Sequence, residues 1–232
     1  MKYWLYRGSE MTKGKLYGVS VGPGDPELMT LKAVRIIREA DIIALPHSDK
    51  EKCAAYTIAV QSVPEMDKKE LLMIPMPMTK DRETLKSAHR HGVKAVTEAL
   101  DRGKNVAFLT LGDVCVYSSC QYIYQPVKKL GYDTELISGV PSFCAVSAKL
   151  DRPLVSGEQK LHIIPATYAL DDCISLDGVK VLMKPEKSLE KIKSMNCGLC
   201  GVENCGMENE KIYRNKNEID DKQGYYSLFI AD

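Results

Sequence analysis

Three short stretches of small residues with single acids are where this sequence is equipped for chemistry. Gly22-Pro23-Gly24-Asp25 follows a β-rich run. Gly112-Asp113 follows the apolar run 105–111, and Ser138-Gly139-Val140-Pro141-Ser142 closes the run 134–138. Glycine has no Cβ, so such loops let the backbone come close to a ligand. The first is not a Walker A loop, which ends in Gly-Lys-Ser/Thr. It also lacks the third glycine of a dinucleotide fingerprint. The second apolar run ends in Leu45-Pro46 rather than in the acid that would hold a ribose. Alone, the loop reads equally well as a tight strand-to-helix turn with no ligand. Three such loops at successive strand ends, however, describe one ligand site at the carboxyl edge of a sheet.

The elements that must position these loops follow from periodicity. Residues 15–21, 41–45 and 105–111 are short apolar, β-branched runs and read as strands, as do 134–138 and one strand within 71–76. Between them, 28–39 places Leu28, Leu31, Val34 and Ile37 at helical spacing. Residues 82–100 do the same with Leu85, Ala88, Val93, Val96 and Leu100, and Gly103 stops that helix. Further helices are expected over 51–61, 118–130 and 141–149. This βαβ rhythm predicts an α/β fold with a parallel sheet covered on both faces. The polar stretch 151–160 marks a boundary. Beyond it, strands over 161–165, 180–183, 201–204, 211–214 and 225–231 predict a second, mixed sheet, the last three antiparallel because they lie so close together. The expected organisation is therefore an extension over 1–13 (with Met11 a candidate start), an N-terminal α/β domain over 14–152 and a C-terminal α/β domain over 153–232.

Composition narrows the partners. The 232 residues carry 32 Lys and Arg against 31 Asp and Glu, so no global field draws the chain to nucleic acid or to an anionic membrane. No apolar run reaches the about 18 residues that a membrane span needs. Eight cysteines without an export signal point to reduced thiols and a cytoplasmic setting. Cys115, Cys144 and Cys173 sit in apolar runs and read as core residues. Cys197-x2-Cys200 with Cys205 has no second pair to complete a zinc site, so no metal is expected.

The loops resemble motifs of the tetrapyrrole methylase family, whose members use S-adenosylmethionine (SAM). VGPGDPELMTLKA is similar to its first motif, TLGDVCVYSS to its GD loop and ISGVPSFCA to its third. Two positions depart from the pattern: Val114 and Ser138 stand where proline is usual. LTLGDVCVYSSCQYIY, QKLHIIPATY, VLMKPEKSLEKI and VENCGMENEKIY resemble the branch that methylates carbon 20 of precorrin-2 or cobalt-factor II in cobalamin synthesis. Methylation of another ring carbon, or of uroporphyrinogen III, stays open as the alternative.

The resemblance implies two α/β domains with SAM in the cleft between them, a homodimer and a tetrapyrrole substrate. Matching the motifs position by position implies SAM contacts at Pro23, Asp113, Val116, Ser142 and Phe143, and in the second domain at Ala166, Thr167 or Tyr168, and Met183. In-line transfer of a methyl group to an electron-rich meso carbon needs alignment more than a strong base. No nucleophilic triad is therefore expected. Asp113 is the expected polar anchor, with capping of the following helix as its plainer role. Tyr117, four residues on, either reaches ring or cofactor with its hydroxyl or covers the core. Lys80, Arg82, Arg90, His89 and His91 gather in one region. The plain reading is a solvated helix face; the sharper one is that some of them hold ring carboxylates, a task suited to arginine. His89 and His91, two apart, point to opposite sides of a helix.

Overall fold

The computed structural model describes residues 12–166, 170, 175–185 and 188–232. The chain divides into two units. One takes the chain up to Val21 and Met29–Gly139; the other takes Gly22–Leu28 and Val140–Asp232. The proposed extension is outside the described residues except for its last two.

The first unit holds a five-stranded sheet of β1 (Leu16–Ser20), β2 (Ile42–Leu45), β3 (Glu70–Met73), β4 (Val106–Thr110) and β5 (Thr134–Ile137), in the order β3-β2-β4-β1-β5. Every pairing is parallel. All residues of β2 and β4 are buried, as expected of strands covered on both faces. The connections are α1 (Leu31–Glu39), α2 (Ala54–Ser62), α3 (Arg82–Asp101) and α4 (Gln121–Lys129). β1 connects through α1 to β2, while β4 connects through α4 to β5 on the other side. The reversal of strand order therefore lies between the neighbours β4 and β1, where ligands of open α/β sheets bind.

Helix α1 corrects one expectation. Thr30 caps it, its hydroxyl accepting from the Ala33 amide at 3.2 Å. With that start the inward residues are Ala33, Ile36 and Ile37, and Leu31 is 89% exposed. Leu28 falls in a separate 3-10 turn, Pro26–Leu28. α3 is capped by Asp81, which accepts from the Glu83 and Thr84 amides. Its fully buried residues are Gly92, Val96, Ala99 and Leu100; none of its first ten residues is more than half-buried.

In the second unit α5 (Ser142–Lys149) packs on a sheet of β6 (Leu161–Pro165), β7 (Val179–Met183), β8 (Leu199–Glu203), β9 (Lys211–Tyr213) and β10 (Ser227–Ala231), with α6 (Leu189–Ser194) between β7 and β8. The order is β6-β7-β10-β8-β9. β6 and β7 are parallel and the rest antiparallel, the mixed sheet the sequence predicts. The units part at Gly139/Val140 rather than within 151–160, because α5 lies on β8 and β10. Among the described residues no helix is long and apolar enough to cross a membrane.

Candidate active site

The sheet order sets the carboxyl ends of β4, β1 and β5 side by side, with Ser20 level with Thr110 and Val19 level with Ile137. Asp113, two residues past Leu111, is buried. One carboxylate oxygen accepts from the Cys115 amide at 2.7 Å. The other accepts from the Ser138 hydroxyl and the Gly139 amide, both at 2.7 Å. Asp113 thus ties the loop after β4 to the loop after β5. Burial pushes its pKa up, but the Ser138 hydroxyl and then the Gly139 and Cys115 amides outweigh it and hold the carboxyl below its usual range. It shapes a turn and does not cap α4, which begins eight residues later behind Cys120.

The end of β1 joins this network. The buried Ser20 hydroxyl accepts from the Val114 amide at 2.8 Å. A Cβ on Gly139 would stand 2.4 Å from the Ser20 Cβ, so only glycine lets the third loop pass this strand end. Thr110 and Ser118 pair through their hydroxyls at 2.9 Å, and the Gln121 amide side chain donates to the Val114 carbonyl. Gly112 has φ +72°, and a Cβ there would meet nothing within 4 Å. Its backbone therefore faces open space, as a cradle for a ligand requires. Val116 is half-buried, its amide donating to the Asp113 carbonyl. Tyr117 sits in the left-handed region at φ +48° with 56% of its surface exposed, so it does not cover the core.

The remaining expected contacts lie in the second unit. Pro23 is buried in the glycine loop. The loop is closed by the Asp25 side chain accepting from the Glu27 amide at 2.8 Å. A Cβ on Gly24 would stand 2.1 Å from the Cys205 carbonyl oxygen, and one on Gly206 2.5 Å from the Asp25 amide. Two glycine turns therefore clasp each other. The Gly206 amide donates to Glu210, which also pairs with Lys149 of α5. Ser142 and Phe143 form the first turn of α5, Phe143 buried. Ala166 follows β6, buried, its carbonyl accepting from the Ser188 hydroxyl, and Met183 ends β7 opposite Pro165. Thr167, Tyr168 and Cys173 lie outside the described residues.

Cys115 and Cys144 are exposed, contrary to their reading as core residues. Cys115 sits on the turn that Asp113 shapes, and Cys144 on the outer side of α5, whose inward residues are Phe143, Ala145, Val146 and Ser147. Burial raises both thiols, and the neighbouring carboxylate raises Cys115 further. Among the described residues, no group of three or more His, Cys, Asp or Glu is placed to hold a metal ion.

Chemically, the glycine loop and the GD loop hold acids and no base: Asp25 and Glu27 in one, Asp113 in the other. Such loops suit a ligand that is cationic or zwitterionic rather than a nucleotide phosphate. Residues 15–219 match the family described as Tetrapyrrole (Corrin/Porphyrin) Methylases. The chain belongs to this family. It is similar to a probable cobalt-precorrin-2 C(20)-methyltransferase of Methanocaldococcus jannaschii, at 36% identity over 93% of this chain and 95% of that protein. It is similar at 28% identity to the cobalt-precorrin-2 C(20)-methyltransferase of Salmonella typhimurium, over 94% and 96%. The fold matches that of the uroporphyrin-III C-methyltransferase of Thermus thermophilus complexed with S-adenosylhomocysteine. The TM-score is 0.66 and the identity 18%, over 94% of this chain and 97% of that one.

The three loops of this tetrapyrrole methylase were legible in the sequence, but not the hydrogen bonds that tie the loops after β4 and β5 to each other and to the end of β1. Ser20 was legible only as a polar residue interrupting an apolar strand. Ser138 lends a hydroxyl where the family usually has proline. Replacing Ser138 with alanine is expected to lower the unfolding free energy by about 1 kcal/mol, read by urea denaturation, because the Gly139 amide keeps its hold on Asp113.

Proposed function

We propose that the protein is a SAM-dependent C-methyltransferase acting on the meso carbon C20 of precorrin-2 or cobalt-factor II in cobalamin biosynthesis. The observation that carries the reading is the near full-length similarity to the C(20)-methyltransferase of M. jannaschii. The acidic Gly112-Asp113 loop, with space beside Gly112, supports it, since SAM brings a sulfonium cation and an amino-acid end. When bound, SAM supplies an activated methyl group. The residues proposed to meet it are Pro23, Asp113, Val116, Ser142, Phe143, Ala166, Tyr168 and Met183. Asp113 holds the loops after β4 and β5 in one arrangement, so that methyl and carbon are aligned; alignment of this kind supplies about 7 kcal/mol or more of a barrier. Tyr117, exposed on the loop that follows Asp113, is proposed to contact the ring with its hydroxyl. The protein is further proposed to act as a cytoplasmic homodimer.

Incubation with SAM and either metal-free or cobalt-loaded factor II, followed by mass spectrometry, tests this. The expected product has gained one methyl group, placed at C20 by carbon-13 labelling. Methylation elsewhere on the ring, or only of uroporphyrinogen III, overturns the assignment.

A further inference from the structure

Helix α3 is longer than its surroundings require. Its 20 residues span about 30 Å, against about 13 Å for the 9 residues of α4. Both helices return the chain from the carboxyl edge of the sheet to its amino edge, so they run in the same direction. Two contacts fix their relative level. The His89 ring stacks on Tyr122, in the first turn of α4, at 4.5 Å and 7°. Gly92 abuts Ile123, whose Cδ1 would lie 2.7 Å from a Cβ there. The seven residues of α3 before His89 therefore project about 10 Å past the start of α4. They stand on the side of the sheet edge that carries Asp113 and Tyr117.

The first half of α3, residues 82–91, is at most half-buried, and its charge is unbalanced. Its acids are committed: Asp81 caps the helix and Glu83 pairs with Lys86 at 3.0 Å. Arg82 and Arg90, both exposed, make no ion pair or hydrogen bond among the described residues. The His89–Tyr122 stack stands on the same stretch, one residue from Arg90 and two turns from Arg82; partial burial lowers the pKa of His89, and Tyr122 is 57% exposed. A partly exposed pair of stacked rings near unmatched guanidinium groups complements a conjugated ring fringed with carboxylates.

We propose that the projecting half of α3 is the wall that receives the substrate macrocycle, with Arg82 and Arg90 pairing ring carboxylates and the His89–Tyr122 stack seating the ring. The inference rests on the tetrapyrrole substrate proposed above and names the residues that recognise it. Binding of uroporphyrin III, a ring polycarboxylate, is followed by its absorbance, and KM for cobalt-factor II by turnover. The double variant Arg82→Ala/Arg90→Ala is expected to weaken both by about 10-fold and to lose the salt dependence of the wild type. Its affinity for SAM stays as it was. The double variant Lys128→Ala/Lys129→Ala, which removes equal charge from the far end of α4, is expected to bind like wild type. Unchanged ring binding in the arginine variant overturns the wall. So does an equal loss in the lysine variant, or a loss explained by dissociation of an oligomer in sedimentation. A wild type that fails to methylate factor II while its ring binding still depends on Arg82 and Arg90 overturns the C20 reading and leaves the wall standing.

Discussion

Replacing Asp113 with alanine is expected to lower kcat/KM by about 10²-fold to 10³-fold and the unfolding free energy by about 3 kcal/mol. The carboxylate accepts three short hydrogen bonds from two loops, two from backbone amides that cannot turn elsewhere. A stranded donor costs about 1–3 kcal/mol when buried; the two amides are part-buried and the exposed Ser138 turns to water, which keeps the total near the lower end. Activity suffers more than stability. The loops after β4 and β5 lose their common anchor, and a displacement of about 1 Å at an aligned reaction costs about 10²-fold. Asparagine is no remedy, because whichever way its amide is set, the NH2 faces a backbone N–H. The pH dependence isolates the carboxylate. Its folded pKa is lowered from 3.8, so the stability it lends is complete above the unfolded value and is lost as pH falls through the folded one. The stability gap between wild type and Asp113→Asn is therefore expected to be constant at neutral pH and to narrow as pH falls below about 4. A gap of equal size at pH 7 and pH 3 would show that Asp113 is not held as a carboxylate.

Much of this anchor was legible in the sequence, for a physical reason. Continuous apolar runs such as 105–111 can only be strands buried on both faces, and glycine-acid pairs at their ends mark where the chain turns beside a ligand. What stayed hidden was phase and distance. Helix α1 buries Ala33, Ile36 and Ile37, a stripe turned from the expected Leu28, Leu31, Val34 and Ile37, and leaves Leu31 exposed in its first turn. The six residues of α6 are too few to show a helical period. Cys115 and Cys144 were misplaced because an apolar neighbourhood in sequence does not say which side of a turn or helix a residue takes. Contacts between residues nearly two hundred positions apart, such as that of Gly24 with Cys205, have no local signature at all.

That contact carries the second large effect. Replacing Gly24 with alanine is expected to weaken SAM binding by about 10²-fold, measured by isothermal titration. The new methyl would lie 2.1 Å from the Cys205 carbonyl oxygen and 2.9 Å from the Met207 Cγ. Met207 has room to swing; the carbonyl belongs to the backbone and does not. The glycine loop must therefore retreat by nearly an ångström, taking Pro23 with it. Gly206 meets the same pair of turns from the other side: it stands at φ +74°, and its Cβ would come within 2.5 Å of the Asp25 amide. Gly206→Ala is thus expected to repeat the loss, and the double variant to lose little beyond either single one, because both break one contact. Gly131→Ala separates this from the cost of the backbone conformation. Gly131 has φ +86°, and its Cβ would meet nothing within 4 Å, so the variant is expected to lose about 1 kcal/mol of stability and no SAM affinity. If Gly24→Ala binds SAM as wild type does, the clasp is a packing feature of the second unit and the glycine loop has no part in holding the cofactor.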